Sequence, residues 1–247
     1  MINPLEWFKK PKEILKLPVI VAIHGFGRRR TVEYEPLKTY FEKLGYTVII
    51  PELFNHELDE SPDADRWIER ADGAVKEQLD AGNKVWLVGF SMGGVIAASL
   101  AAKYPVERVA LLAPAFDYVT FKKVLGAAER TAGKLIKIKP ISSTDSEPGS
   151  LPDNYYPVFS EVVKRLKNDI ELINVPVLFL HGTQDEVIPI RSSENAYKRI
   201  NHNNKLLLRV ETAPHRMLDE VQLNDDILFI IYHFFRGDIV KESTPLH

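Results

Sequence analysis

Short apolar runs rich in valine, isoleucine and leucine alternate with longer segments of helical period along most of this chain. Runs that are apolar throughout, rather than at every second position, are expected for strands buried on both faces of a parallel sheet. The alternation therefore predicts an α/β fold, with a mostly parallel sheet of about six strands flanked by helices. The predicted strands cover residues 19–23, 47–50, 84–88, 109–113, 177–180 and 206–210.

Helix signals occupy the segments between these strands. Ser61, Pro62 and Asp63 have the pattern of an N-cap, a first-turn proline and an acidic first turn, so we predict a helix from there to about Leu79. Other helices are predicted over residues 36–44, 92–103, 192–200 and 217–235.

Residues 116–172 interrupt the alternation. They contain no good strand, but two helical segments flank the polar loop ISSTDSEPGSLPDN, and the strand pattern resumes at Val175. We therefore expect a small helical cap inserted within one domain that spans residues 1–247. The first of the two segments is basic and moderately amphipathic, which favours a cap helix with a solvated lysine face over membrane attachment.

Composition excludes several classes of protein. With 247 residues, 45% of them hydrophobic, the chain can bury a sizeable core, and its net charge of -2 provides no general attraction to nucleic acid. It has no cysteine, and therefore no disulfide framework or cysteine nucleophile. Its apolar runs are far shorter than a bilayer span and its first residues do not resemble a signal peptide, so we expect a cytoplasmic protein without an integral membrane segment. No feature of the sequence indicates an oligomeric state.

The most informative motif is GFSMGG at residues 89–94. It lies between an apolar run and an alanine-rich segment of helical period. A tight turn from strand to helix would place Ser91 in a strained backbone conformation and expose its hydroxyl at a helix N-terminus, where the dipole favours developing negative charge. The motif predicts a nucleophilic serine; the alternative is an ordinary glycine-rich turn whose serine caps a helix.

This motif in this context resembles the α/β-hydrolase superfamily, and within it the small bacterial carboxylesterases and monoacylglycerol-lipase-like enzymes. The resemblance extends over residues 18–235. It implies a small-molecule ester substrate and a reaction that needs no cofactor. No run of the sequence gathers three candidate ligands at the spacing of a known metal motif, so no metal site is expected.

The resemblance also implies an oxyanion hole. His24-Gly25-Phe26-Gly27 follows the first predicted strand, and in the family such a loop supplies a backbone N–H from the residue after H-G, while the residue after the nucleophile supplies another. Carried over, the donors are Phe26 and Met92, each worth on the order of 3 kcal/mol of barrier. For His24, a ring hydrogen bond that orients the loop is favoured over a role as catalytic base.

The family order of serine, acid and histidine is implied for the remaining catalytic residues. The segment HGTQDEVIP, which follows a late strand, is similar to the family's H-G-x-x-D-x-x-x-P and makes Asp185 the acid; Glu186 and Asp117 are the alternatives. His215, in the loop between the last strand and a long terminal helix, is the implied base. Relatives usually have a small residue before this histidine, whereas here a proline restricts the loop backbone.

Aromatic residues in the predicted cap are candidates for binding an acyl chain or aryl group, or else for packing the cap on the sheet. The candidate substrate-binding residues are Tyr118, Phe121, Tyr155, Tyr156 and Phe159. Arginines at positions 28–30 follow the oxyanion loop, where they either attract an anionic substrate group or form a solvated basic loop.

The resemblance leads to one main expectation, a serine hydrolase that cleaves small or medium-chain carboxylic esters through an acyl-enzyme on Ser91. A thioesterase, an amidase or a carbon–carbon hydrolase would use the same three residues. The alternative of another class is a non-catalytic hydrolase-like binding protein. The intact set of Ser91, Asp185 and His215 argues against that alternative, because a binding module does not need it.

Overall fold

A computed structural model describes residues 16–59, 61–117 and 151–239 of the chain. Within these residues, a six-stranded sheet has the strand order β2-β1-β3-β4-β5-β6, and every neighbouring pair is parallel. The strands are β1 (Val19–Ile23), β2 (Thr47–Ile49), β3 (Val85–Phe90), β4 (Arg108–Leu112), β5 (Val177–Gly182) and β6 (Lys205–Val210). The predicted α/β fold with a parallel sheet of about six strands is confirmed.

Helices cover both faces of this sheet. They are α1 (Glu35–Lys43), α2 (Ala64–Asp80), α3 (Met92–Lys103), α4 (Tyr155–Leu166), α5 (Arg191–Arg199) and α6 (Asn224–Arg236). Helices α1 and α6 pack on one face, and the other four pack on the opposite face. Short 3-10 turns are present at Arg30–Tyr34, Asp169–Leu172 and Met217–Asp219. In the described ranges, no helix is both long enough and apolar enough to cross a membrane.

Alternate residues of the central strands enter two separate hydrophobic cores. In β3, Val85 and Leu87 pack in the core under α2 and α3, whereas Trp86 and Val88 pack in the core under α1 and α6. Because helices cover both faces, both sets of side chains are apolar. This packing explains why the strands are continuous apolar runs in the sequence.

The carboxyl ends of the strands meet at one edge of the sheet. The β1–β3 pairing places Ile23 beside Gly89, and the β5–β6 pairing places Gly182 beside Val210. The loops after these four strands therefore leave the sheet at the same edge, although they are far apart in sequence. In open α/β sheets this is the edge at which ligands bind.

The N-terminus of α2 differs from the prediction. Asp63, not Ser61, is the N-cap: its backbone is extended, with φ -148° and ψ 126°, and its carboxylate accepts a 2.8 Å hydrogen bond from the Arg66 N–H. A carboxylate at this position also interacts favourably with the helix dipole, which a neutral hydroxyl two residues earlier does not. The predicted cap at Ser61, with Pro62 in the first turn, is therefore wrong.

The terminal helix is shorter than predicted. Residues 217–219 form a separate 3-10 turn, and α6 begins only at Asn224. Leu218 is buried, whereas Val221, which would lie on the same helical face, is 82% exposed. A continuous helix from residue 217 would therefore not keep one apolar face on the sheet. The first turn of α6 is acidic, which favours a helix start at this point.

The described part of the predicted cap belongs to the core. Helix α4 and the following 3-10 turn pack against α3, and Phe159, Val162 and Ile170 are buried in the core cluster on that face. Residues 118–150, which make up much of the predicted insertion at 116–172, lie outside the described residues. The extent of the insertion stays a prediction.

The corrected N-cap can be tested by two single substitutions. We expect Asp63→Ala to lower the free energy of unfolding by about 1 kcal/mol, because the Arg66 N–H loses its acceptor. Ser61→Ala is the matched control and should leave the free energy of unfolding unchanged. Urea denaturation followed by circular dichroism measures both. An equal loss in the two variants would contradict the assignment of Asp63.

Candidate active site

Ser91 occupies a strained turn between β3 and α3. Its φ of 52° and ψ of -116° lie in a region that residues with a side chain rarely adopt. The Ser91 N–H donates to the Leu112 carbonyl at 2.9 Å, and the Ser91 carbonyl accepts from the Gly94 and Ala115 N–H groups at 3.0 and 3.1 Å. These bonds hold the turn against β4 and the loop that follows it.

Two glycines of the motif allow the backbone to approach this closely. A Cβ atom added at Gly93 would lie 1.9 Å from the Ile23 carbonyl oxygen, and one added at Gly89 would lie 2.4 Å from the Gly93 carbonyl oxygen. Any side chain at either position would therefore push α3 away from β1 or β3. The glycines of the motif are required by packing as well as by the turn.

The structure brings the three predicted residues Ser91, His215 and Asp185 together. His215 Nε2 lies 3.2 Å from Ser91 Oγ, and His215 Nδ1 lies 2.8 Å from Asp185 Oδ2. All three side chains are almost completely buried. Because Nδ1 faces a carboxylate, it carries the ring proton, and Nε2 is left to accept the hydrogen bond from the Ser91 hydroxyl.

The Asp185 carboxylate is fully hydrogen-bonded. Its Oδ1 accepts from the Val187 and Ile188 N–H groups at 2.9 and 2.7 Å, and its Oδ2 also lies 3.2 Å from His181 Nε2. Burial by itself would raise the pKa of Asp185. The electrostatic interaction with His215 and the hydrogen bonds from His181 and His215 outweigh burial and hold the pKa of Asp185 well below its usual range. Asp185 therefore remains an anion beside the imidazole.

The loop that carries His215 accommodates Pro214 without displacing the imidazole. The His215 N–H donates to Glu186 Oε2 at 3.2 Å, so the side chain considered as an alternative acid bonds the backbone rather than the ring. A Cβ atom added at Gly182 would lie 2.1 Å from the Ala213 carbonyl oxygen, which shows how tightly this loop packs on β5. The other alternative acid, Asp117, accepts a 2.7 Å hydrogen bond from the side-chain amide of a residue on α5.

The predicted oxyanion loop lies directly against Ser91. A Cβ atom added at Gly25 would lie 2.9 Å from the Phe90 ring and 3.2 Å from Ser91 Cβ. The His24 ring donates from Nδ1 to the Gly25 carbonyl at 2.8 Å and accepts at Nε2 from the Leu53 N–H at 2.9 Å. Burial lowers the pKa of His24 to about 4 and outweighs the raising effect of its bond to Gly25. His24 is thus a neutral ring that orients the loop.

Comparison with known families decides the classification. A family model described as alpha/beta hydrolase fold matches residues 18–169, more than half of the chain. The chain belongs to this family. A second family model, described as serine aminopeptidase, S33, matches residues 154–222.

Individual members of the family are distant in sequence. A carboxylesterase of Bacillus subtilis (strain 168) is 23% identical over 208 residues, which cover 79% of this chain and 83% of the relative. A monoacylglycerol lipase of Paleococcus ferrophilus has a TM-score of 0.68 at 17% identity, covering 89% and 94% of the two chains. A structure of the metagenome-derived lipolytic enzymes LipS and LipT has a TM-score of 0.71 at 20% identity, covering 88% and 93%. The two structures share the fold of this chain.

One buried residue near the site of this alpha/beta hydrolase was not singled out from the sequence. Glu33 Oε1 accepts a 2.5 Å hydrogen bond from the Gly25 N–H, and Oε2 lies 3.9 Å from Arg216 Nη1. Burial raises the pKa of Glu33 to about 7, against the lowering effects of the Gly25 N–H, Arg216 and Arg29. The segment VEYEP, which contains Glu33, has the pattern of an exposed helix start, so the sequence does not indicate that this glutamate is buried.

The candidate substrate-binding aromatics have different surroundings. Tyr155 and Phe159 are buried, and the Phe159 ring stacks on that of Phe26 with 4.8 Å between centroids. Tyr156 is half-buried, and its ring meets the Phe26 ring edge-on at 5.2 Å. Tyr118 and Phe121, which belong to the same prediction, lie outside the described residues.

Arg29 and Arg30, which follow the oxyanion loop, pair with carboxylates. Arg29 forms an ion pair with Asp219, and Arg30 Nη1 lies 3.2 Å from Glu52 Oε1. Both side chains are mostly buried, which favours a structural role over the solvated loop considered from the sequence. Within residues 16–59, 61–117 and 151–239, no group of three or more His, Asp or Glu side chains could hold a metal ion.

The packing role of Gly93 can be tested against a glycine in open space. We expect Gly93→Ala to lower the free energy of unfolding by at least about 2 kcal/mol, because the new Cβ would collide with the Ile23 carbonyl. Gly73→Ala, in α2, should raise it by about 0.5–1 kcal/mol, since a Cβ there meets nothing within 4 Å. Equal effects of the two substitutions in thermal and urea denaturation would contradict this account.

The raised pKa of Glu33 has a measurable consequence for stability. A folded-state pKa of about 7, against an ordinary value of 4.5, means that stability from this group is complete below pH 4.5 and is lost as the pH rises to 7. We expect the unfolding free energy of Glu33→Gln, relative to the wild type, to rise by about 3 kcal/mol over this interval. Urea denaturation at half-unit pH steps measures the difference, and parallel curves for the two proteins would contradict the prediction.

Proposed function

We propose that the protein is a serine hydrolase that cleaves small or medium-chain carboxylic esters through an acyl-enzyme on Ser91. The observation that carries the proposal is the continuous line of hydrogen bonds from Ser91 Oγ through His215 to Asp185, at 3.2 and 2.8 Å. The likeness to a carboxylesterase along 79% of the chain supports ester substrates. The names of the two similar structures, a monoacylglycerol lipase and a pair of lipolytic enzymes, agree with this chemistry.

In the first step, Ser91 Oγ attacks the ester carbonyl carbon while its proton passes to His215 Nε2. The proton transfer is short because Nε2 already lies 3.2 Å from Oγ. The imidazolium that forms is stabilised by the Asp185 carboxylate, which remains ionised. The product is a tetrahedral intermediate with negative charge on the former carbonyl oxygen.

The backbone N–H groups of Phe26 and Met92 are the proposed donors to this oxyanion. Met92 is the first residue of α3, so its N–H has no partner within the helix and stands at the positive end of the dipole. The Phe26 N–H belongs to the Gly25–Phe26 peptide group. The carbonyl of this peptide group accepts a hydrogen bond from the His24 ring. Neither N–H donates to another residue in the described part of the chain. The absence of another acceptor among the described residues supports both N–H groups as donors to the substrate oxygen.

Collapse of the intermediate completes the first half of the reaction. The bond to the alkoxy group breaks, the leaving oxygen takes the proton from His215 Nε2, and the alcohol departs. Water then attacks the Ser91 ester with His215 again acting as base, which releases the acid and restores the hydroxyl. No step requires a cofactor.

The proposed limit on chain length rests on the modest length of the predicted cap, and the proposed contacts with the acyl group involve the aromatic side chains beside the oxyanion loop. The Phe26 ring packs against Phe159 and Tyr156, so apolar surface lines the space next to one proposed donor. Tyr156, which is half-buried, is the candidate for contact with an acyl chain, together with Tyr118 and Phe121 from the predicted cap. The burial of Tyr155 and Phe159 supports a packing role for these two.

Covalent labelling followed by kinetics tests the proposal. We expect a fluorophosphonate probe to modify Ser91, located by mass spectrometry, and p-nitrophenyl esters of short and medium chains to be hydrolysed. Ser91→Ala and His215→Ala should each lower kcat by at least about 1,000-fold. Ser99→Ala is the matched control: Ser99 lies on the same helix, bonds Asp169 at 2.5 Å, and its loss should leave kcat within about twofold.

Two outcomes would contradict the proposal. The triad assignment fails if Ser91 is unlabelled and Ser91→Ala retains the wild-type rate. The ester assignment fails if a thioester or anilide with the same acyl chain is cleaved faster than the ester.

A further inference from the structure

We infer that Glu33 is a positioning residue for the oxyanion hole, and that it joins the oxyanion loop to the loop that carries the base. The inference rests on the proposed function. Glu33 is 6% exposed and lies in the 3-10 turn Arg30–Tyr34, shortly after the oxyanion loop. The mechanism proposed above does not use it.

Glu33 and His24 together fix two consecutive peptide groups. The Glu33 carboxylate binds the Gly25 N–H at 2.5 Å, which sets the plane of the His24–Gly25 peptide. The His24 ring binds the Gly25 carbonyl at 2.8 Å, which sets the plane of the Gly25–Phe26 peptide. Because a trans peptide is planar, its N–H points opposite to its carbonyl. The direction of the Phe26 N–H therefore follows from these two side-chain bonds.

Gly25 needs this support because of its own flexibility. A glycine has no Cβ to restrict its backbone, and a side chain at this position is excluded by the Phe90 ring and Ser91 Cβ. The loop therefore cannot be stiffened by a larger residue at position 25. Hydrogen bonds to the N–H and the carbonyl of Gly25 supply the restriction instead, and Glu33 provides one of the two.

The second carboxylate oxygen of Glu33 faces the loop that carries His215. Oε2 lies 3.9 Å from Arg216 Nη1, and Arg216 directly follows His215 in the sequence. A second ion pair, between Arg29 and Asp219, joins the same two segments. The oxyanion loop and the loop that carries the base are therefore connected by charged contacts.

A carboxyl group is a costly choice for this position. It is buried beside apolar residues, and an aliphatic side chain of similar volume would avoid the cost of desolvation. An aliphatic side chain would, however, leave the buried Gly25 N–H without an acceptor. The oxygen that binds Gly25 is thus the feature of Glu33 that the site requires.

Three substitutions at this position separate the acceptor from the charge. Glu33→Leu removes both, Glu33→Gln keeps an acceptor oxygen without the charge, and Glu33→Asp keeps the charge but is too short to reach Gly25. We expect Glu33→Leu and Glu33→Asp to lower kcat by about 10- to 100-fold and to change KM by less than about threefold. The reason is that a misdirected Phe26 N–H stabilises the transition state less well but has little effect on substrate binding. Glu33→Gln should retain kcat within about fivefold of the wild type.

A transition-state analogue provides the second measurement. An alkyl boronic acid, which forms a tetrahedral adduct with serine, should lose affinity in Glu33→Leu and Glu33→Asp in proportion to the loss of kcat. Glu107→Leu is the matched control. Glu107 accepts a 3.1 Å hydrogen bond from Trp86 Nε1 at the amino ends of the strands, away from the candidate active site. Both its kcat and its affinity for the boronic acid should stay within about twofold.

The results separate this inference from the proposed function. Wild-type kcat and boronic acid affinity in folded Glu33→Leu would overturn the inference, and if that variant does not fold, the same result in Glu33→Asp would do so. A loss in Glu33→Gln as large as that in Glu33→Leu would overturn the role of the acceptor oxygen. Failure of the proposed function would appear in the wild type itself, as an unlabelled Ser91, and would overturn both.

Discussion

The strained backbone of Ser91 is the constraint on which the rest of the site depends. Its positive φ turns the hydroxyl away from the strand direction, and it is maintained by hydrogen bonds to Leu112, Gly94 and Ala115. The other non-glycine residues with positive φ in the described ranges are at positions 30, 113 and 212. Residues 113 and 212 lie in loops at the carboxyl edge of the sheet, and residue 30 is the first residue of a 3-10 turn after β1. The cores on both faces of the sheet provide the rigidity that holds this unfavourable geometry in place.

Environment gives two histidines of this site opposite roles. The His24 ring is completely buried and bonded at both nitrogens to the backbone, so it remains neutral and fixes a loop. The His215 ring is bonded instead to a hydroxyl and to a carboxylate that its interactions with His215 and His181 keep ionised in spite of burial. A proton taken up by His215 is stabilised at once, whereas one taken up by His24 would be buried without a counter-ion.

The features predictable from the sequence are those with a local signal. The parallel strands are predictable because burial on both faces makes each one continuously apolar. Ser91 is indicated by its own motif, whereas Asp185 and His215 are implied by the resemblance of the segments that follow β5 and β6 to those of a known family. The predicted start of α6 and the predicted N-cap of α2 were wrong. At each place several neighbouring residues could begin the helix, and packing and charge in the folded chain select one of them. Glu33 was not recognised because its importance comes from a contact with Gly25 that only the folded chain creates.

The strand order has a consequence for how the protein reaches its functional state. Ser91 follows β3, near the middle of the sheet, whereas His215 follows β6, which is an edge strand and the last of the described strands in sequence. Under the proposed mechanism, a nascent chain that ends before β6 lacks the base that activates Ser91. The contact between His215 and Ser91 spans 124 positions in sequence, and contacts between residues so far apart carry a high cost in chain entropy. The proposed function therefore depends on completion of the chain beyond β6.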